Sequence, residues 1–565
     1  MVRSSEGGPP SLESLATSRF GQLSEAERRL LHSAPRGELA DCGTDETDAN
    51  APENNPEHAH QWSADREIRA ALLRWLCLDV VARAQVAPNG IGIVGARLDT
   101  RLELSFATIP FPITMIGCWL PGGMDLKMAE LPALFLSQSR IGGAPAAALL
   151  ADGVRIRGPL ILVGAHVEGE VRLFRASIDS SMECDRALFE NPGAVALDCE
   201  LAKMGGVYLR NGFRSEGEVR LKRAEIRANL ECQRGRFGDG GRGAQAVVLT
   251  AEGAKIDGAV LLREGFRAEG GVVILAAEIR GDLDLREADF STPRSGLNAG
   301  TADIKGRFFI HRTRVGADSW IVLDSAACAI LDDDLTSWPR DGHLVLDGFV
   351  YRRLQYPGDA TARLAWLRGQ LPEERAQRRG HFRPQPYRQL AQVLRSQGHE
   401  AEARDVLIGM ARDRRKYARL SWSSWFWSLV LWHVIRNGYQ PLRAVVWLLA
   451  LWAANAIVFS AAYDAGLMGP TDQRAFEAFV ASQGSVPAWY SPFRATSFAI
   501  DLSLPIISLG ERDKWRPLAR PVHGKPDVPA WLPGALSVWR WVAIVAGWFL
   551  ASMLVAGVAG LVGKQ

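Results

Sequence analysis

The chain has 565 residues, 47% of them hydrophobic, enough for a sizeable core and too many for a globally disordered protein. Lys and Arg total 66 against 63 for Asp and Glu, a formal net charge of +3, which excludes a wholly basic nucleic-acid binder and a wholly acidic solvating chain. A mean hydropathy of −0.04 excludes a carrier made mostly of membrane helices but leaves room for one or two.

Residues 1–60 carry 11 acidic and 5 basic side chains among Pro, Gly, Ser and Asn, which predicts an acidic, disordered arm. No basic and apolar leader opens the chain, so a secretory signal peptide is not expected. Residues 61–88 form the next unit. Ile68, Leu72, Trp75, Leu76 and Val80 fall at helical spacing behind Ser63 as N-cap, predicting one amphipathic helix that covers the open end of the repeat region beginning near residue 89.

Residues 89–350 repeat themselves. Residues 168–189 read EGEVRLFRASIDSSMECDRALF, 216–237 read EGEVRLKRAEIRANLECQRGRF, and 269–290 read EGGVVILAAEIRGDLDLREADF. A shorter unit runs through them: Ala, an apolar residue at +2, usually Gly at +4, then apolar residues at +6 and +8. Ala165, Val167, Gly169, Val171 and Leu173 fit it, as do Ala277, Ile279, Gly281, Leu283 and Leu285. Alternation over so few residues means short strands with one buried face, with Gly supplying the turns. Such strands cannot bury a face alone, but stacked as coils they share an apolar lumen. A doubly wound α/β domain would need helical crossovers between its strands, and the pattern contains none. The predicted fold is therefore mainly β, a parallel β-solenoid.

Residues 351–420 read as a basic helical hairpin. Tyr387, Leu390, Ala391 and Leu394 form one stripe, Ala403, Val406, Leu407 and Met410 a second, with Gly398 between them. Arg412, Arg414, Arg415, Lys416 and Arg419 come next, and then a Trp-rich interfacial helix over 421–436 with Trp422, Trp425 and Trp427. The charge-free runs 444–463 and 541–562 are each long enough to span a bilayer, which needs roughly 20 helical residues. Arg436 and Arg443 stand before the first run, so the positive-inside rule places the solenoid in the cytoplasm and 464–540 outside. The stretch SFAIDLSLPIISLG, 497–510, is apolar but broken by Asp501 and Pro505; a re-entrant and an interfacial piece both fit it.

Little in the chain speaks of catalysis. Gly90, Gly92 and Gly95 make a GxGxxG, but a helix precedes it and a repeat unit comes after it, the reverse of a dinucleotide site. The seven cysteines include no CxxC pair, which argues against a zinc ribbon or disulfide framework. Cys184 and Cys232 occupy a position filled by Leu285 in the next repeat, which points to packing. Cys77 and Cys118 read the same way. Ten histidines are dispersed, with His166 and His311 at outward repeat positions and no metal-ligand spacing. Recurring Glu168, Glu216 and Glu269 suit a solvated ladder, because an active site is normally singular. No catalytic residue, cofactor site or metal site is assigned. The basic run and its tryptophans are expected to form a membrane-surface site for anionic headgroups rather than nucleic acid, worth about 1 kcal/mol per charge near the bilayer; a plain topology determinant fits the run equally well.

Units such as GARLDTRLEL, GAHVEGEVRL and AAEIRGDLDL, the stretch PYRQLAQVLRSQGHEAEARDVLIGMARDRR, and SLPIISLGERDKW between two apolar runs together resemble an actinobacterial membrane-protein family. Its members are often called membrane-associated oxidoreductases, or grouped with pentapeptide-repeat proteins. The resemblance covers about 60–565 and implies a solenoid with two C-terminal membrane helices; it transfers no catalytic residue. A pentapeptide period of five is not sustained, and the alternation is similar to that of bactofilin-like β-helices. The expected function is a two-pass inner-membrane scaffold whose cytoplasmic solenoid binds a partner protein or a second copy. An oxidoreductase, as the family label implies, and a transmembrane sensor are the alternatives.

Overall fold

The computed structural model describes residues 10–43, 52–143, 147–238, 247–371, 382–418, 421–436, 442–504, 508–522 and 529–559. Its helices are α1 (Leu12–Phe20), α2 (Glu25–Ser33), α3 (Ala70–Leu78), α4 (Val80–Arg83), α5 (Ala360–Arg368), α6 (Gln385–Ser396), α7 (Glu400–Tyr417), α8 (Trp422–Ile435), α9 (Arg443–Asp464), α10 (Gln473–Ala481), α11 (Ala495–Ser503), α12 (Glu511–Lys514) and α13 (Leu532–Val558). Two compact units divide the chain, residues 1–406 and 407–565.

In the first unit a parallel β-solenoid makes about 11 turns. Ile113 pairs with Leu134, Leu134 with Leu160, Leu160 with Met182, Met182 with Val207 and Val207 with Leu230, one rung after another. Most of the short strands, such as Leu134–Phe135 and Leu230–Glu231, turn one apolar residue inward and its neighbour outward, as alternation requires. Inside, Phe189, Phe213, Phe237, Phe266 and Phe290 stack rung on rung with ring centroids 5.4, 5.4, 5.2 and 6.0 Å apart.

Glycine makes some of the corners, as the sequence predicts, with Gly153 and Gly164 at φ 65° and Gly253 at 64°; elsewhere a non-glycine residue takes the same left-handed conformation. Leu173 O accepts from Ala176 N at 3.0 Å, with Arg175 between them at φ 55°. Leu221 and Ala224 repeat this around Arg223 (φ 52°), and Leu285 and Ala288 around Glu287 (φ 61°). A left-handed non-glycine residue costs roughly 1–2 kcal/mol. The corner bond and the rungs on either side hold it there, and the buried Ala is the small residue that fits where two walls meet.

The N-terminal arm is ordered where it is described, which corrects the expectation of disorder. Leu39–Asp41 pairs in parallel with Gly92–Val94, and Glu67–Ile68 with Arg97–Leu98, so this segment builds the first rung. The acidic composition misled because Glu27 has a dedicated partner. It closes a capping box with Ser24, is buried, and accepts from Arg69 Nε at 2.7 Å and Nη2 at 2.6 Å. The single helix expected over 61–88 is likewise broken up: Ile68 belongs to a strand, and α3 starts only at Ala70, whose N–H donates to Asp99 Oδ1 at 2.8 Å.

At the other end the last rung reaches Leu354. Arg363 of α5 is 1% exposed and forms a bidentate pair with buried Asp333, at 2.7 and 2.8 Å; Trp338 Nε1 donates to the same carboxylate at 2.8 Å. Glutamines of α6 then occupy the free strand edge. Gln385 Oε1 accepts from Gly348 N (3.0 Å), Gln389 Nε2 donates to Tyr351 O (2.7 Å), and Gln397 accepts from Leu354 N (3.1 Å) and donates to Leu354 O (2.9 Å). These side-chain amides stand where the next strand's backbone would be.

In the second unit, α9 and α13 are 22 and 27 residues long, long and apolar enough to cross a membrane. α13 begins nine residues before the charge-free run that marked it in sequence, because Arg540 is helical and reaches Arg512 O at 3.5 Å. α11 packs against both. Its last residue, Ser503, accepts from Asn455 Nδ2, midway along α9, at 2.9 Å, and Trp539 Nε1 of α13 donates to Asn455 Oδ1 at 3.0 Å. A Cβ at Gly547 of α13 would lie 2.4 Å from Ser503 O, so only glycine admits this approach. Asp501 is buried and accepts from the N–H groups of Leu509 (3.0 Å) and Arg512 (2.9 Å). The chain then returns to Trp515–Pro517, which pairs with Met468–Pro470, just beyond the end of α9.

Candidate functional site

The basic and aromatic residues singled out in sequence lie on two successive helices. Arg412, Arg414, Arg415 and Lys416 belong to the last turns of α7, and Trp422, Trp425 and Trp427 to the first turns of α8; Arg419 lies outside the described residues. Cationic side chains at a helix C-terminus face the negative end of its dipole. α8 starts at Ser421, whose hydroxyl accepts from Ser424 N.

The structure brings part of this set together around a tryptophan outside it. The guanidinium of Arg415 lies 4.3 Å from the Trp432 ring centroid, that of Arg436 4.8 Å and that of Arg412 5.5 Å. A Trp face is the best aromatic cation site, because its negative quadrupole meets the charge directly. Arg415 also reaches Ser428 O at 3.5 Å. Its pKa is lowered, by burial first and by the neighbouring Arg412 second. Arg414 and Lys416 remain exposed, and Lys416 lies over Tyr417 at 5.2 Å. Trp422 is 79% exposed and stacks on Phe426, at 6.1 Å; Trp425 is exposed, and Trp427 meets Phe549 of α13 at 5.9 Å. An exposed row of tryptophans beside exposed cations suits a boundary where apolar and charged groups meet.

A second constellation escaped the sequence. His166, read as an outward repeat position, has Glu57 Oε1 2.6 Å from Nδ1 and Glu190 Oε2 2.9 Å from Nε2. Arg140, one rung before, holds Glu168 at 2.6 Å through Nη2 and 2.8 Å through Nε, and reaches Glu57 O at 3.1 Å and its carboxylate at 3.4 Å. Glu190 and Glu168 are rung neighbours and so were readable as a ladder. Glu57 comes from a 3₁₀ turn, Pro56–Gln61, 109 residues away, inside the arm read as disordered; no local pattern signals it. Donor atoms of His166, Glu168 and Glu190 lie within 4.8 Å of one another. The Arg140 guanidinium already occupies the Glu168 oxygen, so the group works as an ion-pair network. His311 sits in a smaller one, with Asp332 Oδ1 at 2.6 Å.

All seven cysteines are buried free thiols. Burial pushes Cys77 and Cys118 up to about 12 and Cys184, Cys232 and Cys328 further, so they stay protonated and unreactive. In the GxGxxG, Ile91–Val94 is a rung strand, and Gly90 (φ 87°) is required because a Cβ would lie 2.0 Å from Pro112 O. It is a turn glycine of an early coil. No family model, curated protein or solved structure matches the chain.

Proposed function

We propose that the chain is a membrane-anchored scaffold: a rigid cytoplasmic solenoid tethered to the inner membrane by α9 and α13 as two spans. The observation that carries this is a solenoid of about 11 turns followed on the same chain by two helices of membrane length. In this reading α1, α2 and α3 cap the first rung and the α6 glutamines cap the last. With both ends occupied, a partner protein binds the flanks, where outward side chains repeat at rung spacing. Arg412, Arg414, Arg415 and Lys416, with Trp422, Trp425 and Trp427, lie at the headgroup level and prefer anionic lipid.

The described residues 495–504 and 508–515 are read as two sides of a re-entrant piece. It meets Asn455 and Gly547 partway along the two long helices and comes back to the strand at 468–470 on the side it left. Polar groups at membrane depth are tolerated where protein satisfies them, and the Asp501 carboxylate pairs with the amides of Leu509 and Arg512. The buried native thiols leave a low labelling background for a cysteine-accessibility scan in intact cells. Positions near 490 and 520 should label from outside and positions 412–416 only after lysis. Labelling near 520 from the cytoplasm would overturn the topology.

Function is tested by crosslinking the full chain in its native membrane and mapping the crosslinks. A protein partner attached within 89–350 is the expected result. Stoichiometric flavin, haem, iron or nicotinamide absorbance in the purified chain would instead establish the oxidoreductase that the family resemblance implies.

A further inference from the structure

A neutral imidazole has one donor and one acceptor nitrogen, so it can satisfy only one of two flanking carboxylates. His166 has carboxylate oxygens 2.6 Å from Nδ1 and 2.9 Å from Nε2, a geometry that only the doubly protonated ring satisfies. The two carboxylates come from different parts of the chain: Glu190 from the next rung of the wall, Glu57 from the Pro56–Gln61 turn laid against the outside of the wall. Arg140, from the preceding rung, and Glu168, from the histidine's own strand, complete the charged groups around it; the turn itself also carries His58 and His60.

We propose that His166 is a proton-controlled latch that fastens the segment 52–62 to the flank of the solenoid and loosens it when the ring loses its charge. When neutral, His166 turns an acceptor lone pair toward one of the two carboxylates, and repulsion replaces a charge-assisted bond. Arg140 remains as a hinge-side contact to Glu57, so the segment loosens without leaving the solenoid. The flank beneath carries Trp119, Arg140 and His166 on consecutive rungs. Release of the latch therefore changes which side chains this flank offers to a partner.

The contacts fix the direction of the effect. Burial alone would lower the histidine pKa, but the hydrogen bonds to Glu57 and Glu190, and then their charges, raise it above the ordinary 6.5. The latch is fully closed below the ordinary histidine range and opens as pH rises through the elevated value.

The test is hydrogen exchange of the full-length chain, read on peptides covering 56–62 across mildly acidic to mildly alkaline pH, each rate corrected for intrinsic exchange. The expected result is a loss of protection of about tenfold for each unit by which the histidine pKa is raised, a unit of pKa being a factor of ten in binding. His166→Gln, neutral at every pH, should give the low protection throughout, while solenoid peptides near 197–237 stay unchanged as a control for folding. A flat wild-type profile would overturn the latch, and so would a profile that persists in Glu57→Gln. Restored protection at alkaline pH on adding zinc would also overturn it, in favour of a metal site. The wild-type profile stands by itself even if a variant fails to fold.

Discussion

In the solenoid, Phe189, Phe213, Phe237, Phe266 and Phe290 point inward, and Arg and Glu ladders such as Arg140–Glu168 and Arg236–Glu269 line the outside. α9 and α13 differ in carrying apolar side chains on their outer faces as well. Val446, at 66% exposure, and Trp447, Ile457, Trp541 and Val545 face out, while Asn455 of α9 and Asp501 and Ser503 of α11 are buried beside the apolar Phe459, Phe498 and Ala543. In both units a central buried polar group is paired, Asp333 by Arg363 and Asn455 by Trp539 and Ser503, but the outer faces differ. The outside of the solenoid carries ion pairs, whereas the exposed faces of α9 and α13 are apolar.

The sharpest way to break this contrast is to damage each interior in turn. Phe237→Ala removes the middle of the aromatic stack and should cost about 3–5 kcal/mol, measured by urea unfolding of the β signal. A loss below 1 kcal/mol would mean the rungs collapse onto the cavity and the ladder is not a fixed core. Arg363→Ala leaves Asp333 buried and unpaired and should also cost about 3–5 kcal/mol, whereas replacing both by apolar residues should recover most of it. If the double replacement is as damaging as the single, the pair specifies structure beyond its charge.

In the helical unit Asn455→Leu strands the Trp539 N–H and the Ser503 hydroxyl, and should lower stability in detergent by about 1–3 kcal/mol. Val446→Ser, on the exposed face, should leave detergent stability nearly unchanged and impair membrane insertion instead. Equal effects of the two would erase the distinction between the buried and exposed faces. Gln389→Ala should cost about 1 kcal/mol, with a consequence larger than its energy once Gln385 and Gln397 are replaced too. The freed edge from 348 to 354 should then recruit a second copy, visible as a larger species by light scattering; a species unchanged in size would show the edge is closed by other means. Smallest of all, Arg412→Gln and Arg414→Gln should each weaken anionic-lipid retention by about 1 kcal/mol, read by native mass spectrometry.

The solenoid was legible because alternation, small corner residues and self-similar stretches are local signals, and the parallel rungs simply repeat them. The glycine corners were legible too, but the non-glycine ones were not, for the same reason. Arg175, Arg223 and Glu287 adopt left-handed backbone only because neighbouring rungs hold them, which no single repeat displays. The arm was misread because composition measures mean solvation, whereas Glu27, Glu57 and Leu39 each find a distant partner: Arg69, His166 and the strand at Gly92–Val94. The two long helices of the C-terminal unit tracked the apolar runs but extend past them to charges, Arg443 and Asp464 in α9 and Arg540 in α13. The aromatic and basic residues were recognised as a group, but Trp432, on which Arg412, Arg415 and Arg436 converge, is one aromatic among many in sequence and is distinguished only by folding.

A membrane anchor requires that lipid cover the outward apolar faces of α9 and α13. Alkaline carbonate extraction of membranes from cells making the full chain tests this most directly. The chain should remain with the bilayer pellet together with integral proteins. Its release into the supernatant with peripheral proteins would contradict the anchor, because those faces would then be covered by protein.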